Sequence, residues 1–167
     1  GAYFTRSNIE ISDGAVLESR ENTAEFAGGG LRFTDKTNFE LRDPESQLII
    51  SKNMARSGAG LLLGFSSSFS ILGGARLNAT GNTASKNGGG LSLGVGGGSI
   101  EQDEHGVVVF HRNVALGDLG GGAISASPGS TLNLQGTSIF TRNEARTSNG
   151  GGISFHPSGE DHGAGDC

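Results

Sequence analysis

Two short stretches decide the fold: Phe110-His111-Arg112-Asn113-Val114-Ala115 and, just after it, Gly121-Gly122-Ala123-Ile124-Ser125-Ala126. The Asn-x-Ala triplet Asn113-Ala115 recurs as Asn22-Ala24, Asn53-Ala55, Asn82-Ala84 and Asn143-Ala145, with gaps of 31, 29, 31 and 30 residues between the asparagines. After each copy comes a triplet of small residues and an alternating apolar run. These read Gly28-Gly29-Gly30-Leu31-Arg32-Phe33, Gly58-Ala59-Gly60-Leu61-Leu62-Leu63, Gly88-Gly89-Gly90-Leu91-Ser92-Leu93 and Gly150-Gly151-Gly152-Ile153-Ser154-Phe155. Two anchors recurring together define an internal repeat, which takes precedence over any local helix or strand assignment.

Each period holds two further strand-like runs. In the last complete one they are Thr131-Leu132-Asn133-Leu134 and Ser138-Ile139-Phe140-Thr141, set apart by the turn formers Pro128-Gly129 and Gln135-Gly136. Three short strands in about 30 residues make one coil of a right-handed parallel β-helix, the all-β fold expected here. The repeats run approximately over 1–27, 28–57, 58–87, 88–120 and 121–149, with 150–167 a partial one, all in one domain. Gly1-Ala2-Tyr3-Phe4 fits the tail of such a strand and shows neither an initiator Met nor a basic-then-apolar signal, so the chain reads as a piece of a longer protein.

Stacking coils about 4.8 Å apart places each repeated position above its copy, so like residues form columns. Leu31, Leu61, Leu91, Ile124 and Ile153 are expected to form one inward column, and Phe33, Leu63, Leu93, Ala126 and Phe155 the next. Strand alternation then turns Arg32, Leu62, Ser92, Ser125 and Ser154 outward. Asn22, Asn53, Asn82, Asn113 and Asn143 are expected to form a structural ladder, because a side-chain amide both donates and accepts. Asn also tolerates the left-handed backbone region that a tight corner requires.

Composition narrows the function. Glycine contributes 31 of 167 residues, more than twice the usual share of about 7%, with 3 Pro and no Trp. A net charge of −5 argues against sequence-independent nucleic-acid binding, which needs a basic face. No window approaches about 18 consecutive apolar residues, so no helical membrane insertion of this piece is expected. The single cysteine, Cys167, excludes an internal disulfide and leaves the redox compartment open.

At these motifs the sequence resembles the chlamydial polymorphic outer membrane proteins, a family marked by repeated GGA[ILV] and FxxN motifs. Gly121-Gly122-Ala123-Ile124 matches the first in full, and Phe110-His111-Arg112-Asn113 and Phe140-Thr141-Arg142-Asn143 match the second. Gly73-Gly74-Ala75-Arg76 matches in part, Ile50-Ser51-Lys52-Asn53 is a softened FxxN, and Ala79-Thr80-Gly81-Asn82 and Ser19-Arg20-Glu21-Asn22 lack the aromatic residue. GGG replaces GGA in most copies. The resemblance covers nearly the whole chain and implies an autotransporter passenger: a secreted β-helix displayed at the bacterial outer membrane and implicated in adhesion to host cells.

The residues that could carry catalysis are few. Glu101-Gln102-Asp103-Glu104-His105 is the densest acidic stretch and reads as a protruding loop, solvated more readily than cation-binding. The histidines at 105, 111, 156 and 162 show no metal spacing, and His111 is expected to point outward. His156, Asp161, His162, Asp166 and Cys167 share a tail whose donor types suit zinc, but it reads as the frayed start of the next coil's loop rather than a metal site. The recurring glycines lack the Lys-Ser/Thr ending of a phosphate loop. Lys52, Arg112 and Arg142 each precede a ladder Asn and would align as a basic column, read as a guard against edge pairing.

The expectation is therefore a non-catalytic adhesion or binding scaffold, extracellular or at the cell surface, with no catalytic residue, metal or cofactor assigned. Its partner would be a host or cell-surface protein or glycan, reached through outward side chains and variable corners such as Asn113–Gly121, which carries Asp118. A carbohydrate-active lyase or hydrolase is the first alternative; an exposed carboxylate–Arg cluster across adjacent coils would favour it. An ice-binding solenoid is the second; Thr23 and Thr83 share one position, but Met54, Val114 and Glu144 interrupt it.

Overall fold

The structure is a computed structural model that describes residues 1–94, 96–118, 120–147 and 150–156. Every described element is a β-strand, and every strand pairing is parallel to its counterpart one coil away. The first sheet, of six strands, collects the runs after the small-residue triplets: β1 (Ala2–Thr5), β4 (Leu31–Thr34), β8 (Leu61–Leu63), β12 (Leu91–Leu93), β16 (Ile124–Ala126) and β20 (Ile153–Phe155). The second holds β2 (Asn8–Ile11), β5 (Asn38–Leu41), β9 (Ser67–Ile71), β13 (Gly98–Gln102) and β17 (Thr131–Leu134). The third holds β3 (Val16–Arg20), β6 (Gln47–Ser51), β10 (Arg76–Thr80), β14 (Val107–His111) and β18 (Thr137–Thr141). The chain is thus a parallel β-solenoid of about five turns with roughly 30 residues per coil.

Register follows the repeat. Leu31 pairs with Leu61, Leu61 with Leu91, Leu91 with Ile124 and Ile124 with Ile153. These side chains, with Phe33, Leu63 and Leu93 from the same sheet, Phe39, Leu41, Phe69 and Ile71 from the second, and Leu48, Ile50, Leu77, Val108 and Phe110 from the third, fill one core. Phenylalanine thickens it: Phe33 stacks on Phe39 with ring centroids 5.0 Å apart, and Phe39 meets Phe69 edge-on at 5.0 Å. Burying each such ring contributes about 1.5–3 kcal/mol.

Beyond the three expected strands, four of the coils add a fourth directly after the ladder Asn. These are β7 (Met54–Ser57), β11 (Thr83–Asn87), β15 (Val114–Ala115) and β19 (Glu144–Ala145), in a fourth sheet that Thr23 and Ala27 extend by single bridges to Met54 and Ser57. Ala55, Ala59 and Ala84, with Ala24 beside them, make a small second core separate from the first. Only small residues fit there, because the triplet runs close behind: a Cβ on Gly29 would lie 2.7 Å from the Ala59 carbonyl oxygen.

This lobe corrects the outward column of the first sheet. Leu62 is 9%, Ser92 2% and Ser125 0% exposed, and Arg32 is half-buried. The triplet glycines curl over that face; a Cβ on Gly58 would come within 3.0 Å of the Leu62 Cβ, and one on Gly94 within 3.7 Å of its Cδ1. Leu62 is therefore a buried apolar residue, not an exposed one. The acidic stretch is corrected too. Glu101 and Gln102 lie in β13, and Gln102 is buried, donating to the carbonyls of Gly106 (2.7 Å) and Thr137 (3.0 Å). Only 103–105 turn, where the other coils turn, so no loop protrudes.

Candidate functional site

The asparagines stand in single file at the corner between the third and fourth sheets. Asn22 Nδ2 donates to Asn53 Oδ1 (3.0 Å), Asn53 Nδ2 to Asn82 Oδ1 (3.0 Å), Asn82 Nδ2 to Asn113 Oδ1 (2.9 Å) and Asn113 Nδ2 to Asn143 Oδ1 (3.0 Å). Each Oδ1 also accepts the backbone N–H of the asparagine one coil earlier. The second Nδ2 hydrogen reaches back to the carbonyl three residues before the previous asparagine: Ser19, Ile50, Ala79 and Phe110 in turn. The first residue of each FxxN-type element therefore points its side chain into the core and lends its carbonyl to the next asparagine. Asn53, Asn82 and Asn113 are fully buried, so this column is scaffold and not a contact surface.

The left-handed conformation falls one residue earlier than expected. Glu21, Lys52, Gly81, Arg112 and Arg142 all have φ between 53° and 66°, whereas the ladder asparagines do not. Asn keeps extended backbone so that its amide can aim along the rod. The basic column is broken by Gly81, and Lys52 pairs with exposed Glu21 at 3.1 Å, a contact of small net value at the surface.

A second set of cross-coil bonds was not expected. Asp43 accepts from the backbone N–H groups of Asp13 (2.6 Å) and Gly14 (3.3 Å) one coil away, and from the Ser46 hydroxyl (2.9 Å). Asp103 accepts from the N–H groups of Gly73 (2.7 Å), Gly106 (2.7 Å) and His105 (3.1 Å). For Asp103 the Gly73 amide is the largest influence, and it holds the carboxyl below the usual range. For Asp43 partial desolvation pushes upward, but the Ser46 hydroxyl and the Asp13 and Gly14 amides outweigh it, so its pKa is also lowered. The signal was present in the sequence, since Asp13, Asp43 and Asp103 sit at multiples of 30 residues.

The outer face of the second sheet carries a ladder of polar side chains across coils. Asn38 Nδ2 donates to Asn8 Oδ1 (2.9 Å), and the Ser68 hydroxyl donates to Asn38 Oδ1 (2.9 Å). Two residues along, Glu10, Glu40, Ser70, Glu101 and Asn133 share a column. Arg42 Nε lies 2.8 Å from Glu40 Oε2 and 3.8 Å from Glu10 Oε2. At the adjoining corner an open groove of about 790 Å³ is lined by Arg6, Asn8, Asp35, Lys36, Asn38, Phe65, Ser66 and Gly96.

The remaining residues singled out from the sequence lie apart from one another. His111 Nδ1 faces the Thr141 hydroxyl at 2.7 Å on the surface, His105 sits 3.4 Å from Glu104, and His156 Nε2 lies 3.0 Å from the Ser125 hydroxyl. Among the described residues no three His, Cys, Asp or Glu side chains come together as a metal site. Past His156, the tail donors Asp161, His162, Asp166 and Cys167 lie outside the described residues. Asp118 is exposed in its corner, and Thr23, Met54, Thr83, Val114 and Glu144 align in one interrupted column. No protein-family model, curated protein or solved structure matches the chain.

Proposed function

We propose that the chain is a surface-displayed binding scaffold of the kind its resemblance to the polymorphic outer membrane proteins implies: a secreted passenger that contacts a host or cell-surface protein or glycan without catalysing a reaction. What supports this reading is a division along the same strands. In the second sheet the inward column runs Ile9, Phe39, Phe69, Ile100 and Leu132, apolar throughout, while its outward neighbour runs Glu10, Glu40, Ser70, Glu101 and Asn133. The interior is held constant and the exterior is free to vary, which suits a rod whose task is presentation. The test is a glycan-array and host-cell binding screen with purified chain. Saturable binding is expected, and a uniformly negative screen would sink the reading.

One observation favours a second reading. Glu10, Glu40 and Arg42 form an exposed carboxylate–Arg cluster on two adjacent coils, the arrangement a carbohydrate-active solenoid would need. Incubation with a panel of polyuronates and neutral polysaccharides, followed by assay of reducing ends, separates the two. Turnover abolished by Glu40→Gln supports the enzyme; intact polymer supports the scaffold.

A further inference from the structure

We infer that the groove at the corner between the first and second sheets is a binding site for an acidic saccharide bearing a carboxylate, of the hexuronate type. The inference rests on the binding-scaffold reading and assigns it a place and a ligand class. The groove combines four features that such a ligand needs.

The first is an aromatic platform. Phe65 is 48% exposed and, with Phe26 and Phe155, stands out from the core that Phe33, Phe39, Phe69 and Phe110 fill. It is also held at φ 52°, a conformation that a bulky side chain adopts at a cost of order 1–3 kcal/mol. A strained ring with about half its surface exposed adds little to the core, whereas its face suits the apolar C–H side of a sugar. Gly96 keeps the adjoining wall low, since a Cβ there would stand 3.1 Å from the Phe65 ring.

The second feature is charge. Arg6 and Lys36 line the groove, both are exposed, and neither forms an ion pair among the described residues. The one carboxylate of the lining, Asp35, accepts a hydrogen bond from the Thr5 hydroxyl at 3.0 Å. Two cations against one carboxylate seat an anion. Third, the Asn8–Asn38 pair presents planar amides, and Asn8 Nδ2 has no acceptor among the described residues, leaving it for a sugar hydroxyl. Fourth, Glu10 and Glu40 stand beyond the amides; with Arg42 paired to Glu40 and 3.8 Å from Glu10 the three keep a net negative charge, which opposes a densely charged chain. That gradient selects a sugar with a single carboxylate per ring over a polysulfate.

The three key residues allow a clean test. Arg6, Lys36 and Phe65 all have positive φ, so replacement by Asn relaxes the backbone and does not threaten folding. Calorimetric titration of the full chain uses oligogalacturonate, a neutral oligogalactose of equal length and dextran sulfate. Expected are saturable binding of the uronate, at least about tenfold weaker binding of the neutral sugar, and a similar loss in each of Phe65→Asn, Lys36→Asn and Arg6→Asn. Arg112→Asn, at a distant corner, should bind as the parent does, and circular dichroism should be unchanged throughout. Equal binding of the neutral sugar, tighter binding of dextran sulfate, or indifference to all three variants would overturn the assignment. Should the chain bind cells or other glycans while these variants bind normally, the groove assignment fails and the scaffold reading stands.

Discussion

At the scale of single residues, the asparagine column shows why a polar side chain can hold an interior together. Asn113 accepts two hydrogen bonds from Asn82, at 3.1 Å from its N–H and 2.9 Å from Nδ2, and donates to Ala79 and Asn143. Asn113→Leu would strand buried donors at about 1–3 kcal/mol each, giving a loss of about 3–5 kcal/mol in urea unfolding. The neighbouring Arg112→Asn should shift stability by no more than about 0.5 kcal/mol, since Arg112 is exposed and already left-handed. Equal tolerance at both positions would remove the ladder from the list of stabilising features. Glycine can be dissected in the same way. Gly58 (φ 56°) faces the Leu61 carbonyl oxygen 2.7 Å from where a Cβ would sit, while Gly129 (φ 79°) has open space. Gly129→Ala should therefore cost about 1 kcal/mol from backbone strain alone, and Gly58→Ala clearly more, as read from paired thermal melts.

At the scale of elements, the turns between the second and third sheets are tied across coils by carboxylates, which makes them sensitive to acid. The Asp43 and Asp103 carboxyls titrate below their unfolded value of about 3.9. Their contribution is complete above that value and fades as the pH drops through the lower folded values. Melting temperature should accordingly fall as the pH drops below about 4, and Asp103→Asn should flatten that fall while lowering stability at neutral pH. An unchanged acid profile in the variant would show that the Gly73 bond contributes nothing. The fourth sheet is the other lesson at this scale. Its strands are only two to five residues long, yet they give each coil a return path whose alanines pack against the glycine triplets.

For the whole molecule, stability is expected to be close to a sum over coils and their interfaces, because each coil meets only its neighbours. Removing residues 58–87, one complete period, brings Ser57 to Gly88 and restores every column. That deletion should keep the strand-type circular dichroism and a cooperative transition at reduced stability. Removing only 58–72 breaks the register and should give an unfolded or aggregated product by the same measurements. If both deletions fold equally well, coil-by-coil stacking is not what holds the rod.

The sequence by itself determined the period, the parallel stacking and the inward columns, except in the last described coil, where Phe155 was expected inward but is 61% exposed. Each coil offers the same environment to residues such as Leu31, Leu61 and Leu91, and a slip of one residue would turn a whole apolar column outward, so pattern alone fixes register. Only the tertiary structure decided which outward positions meet solvent. Alternation placed Ser92 and Ser125 outside, but the path of the glycine segments folds the chain back over them, and strand periodicity carries no record of that path. The corner groove belongs to the same category. Arg6, Lys36 and Phe65 come from three separate coils, and what unites them is a shared left-handed bend that brings their side chains to one edge of the rod.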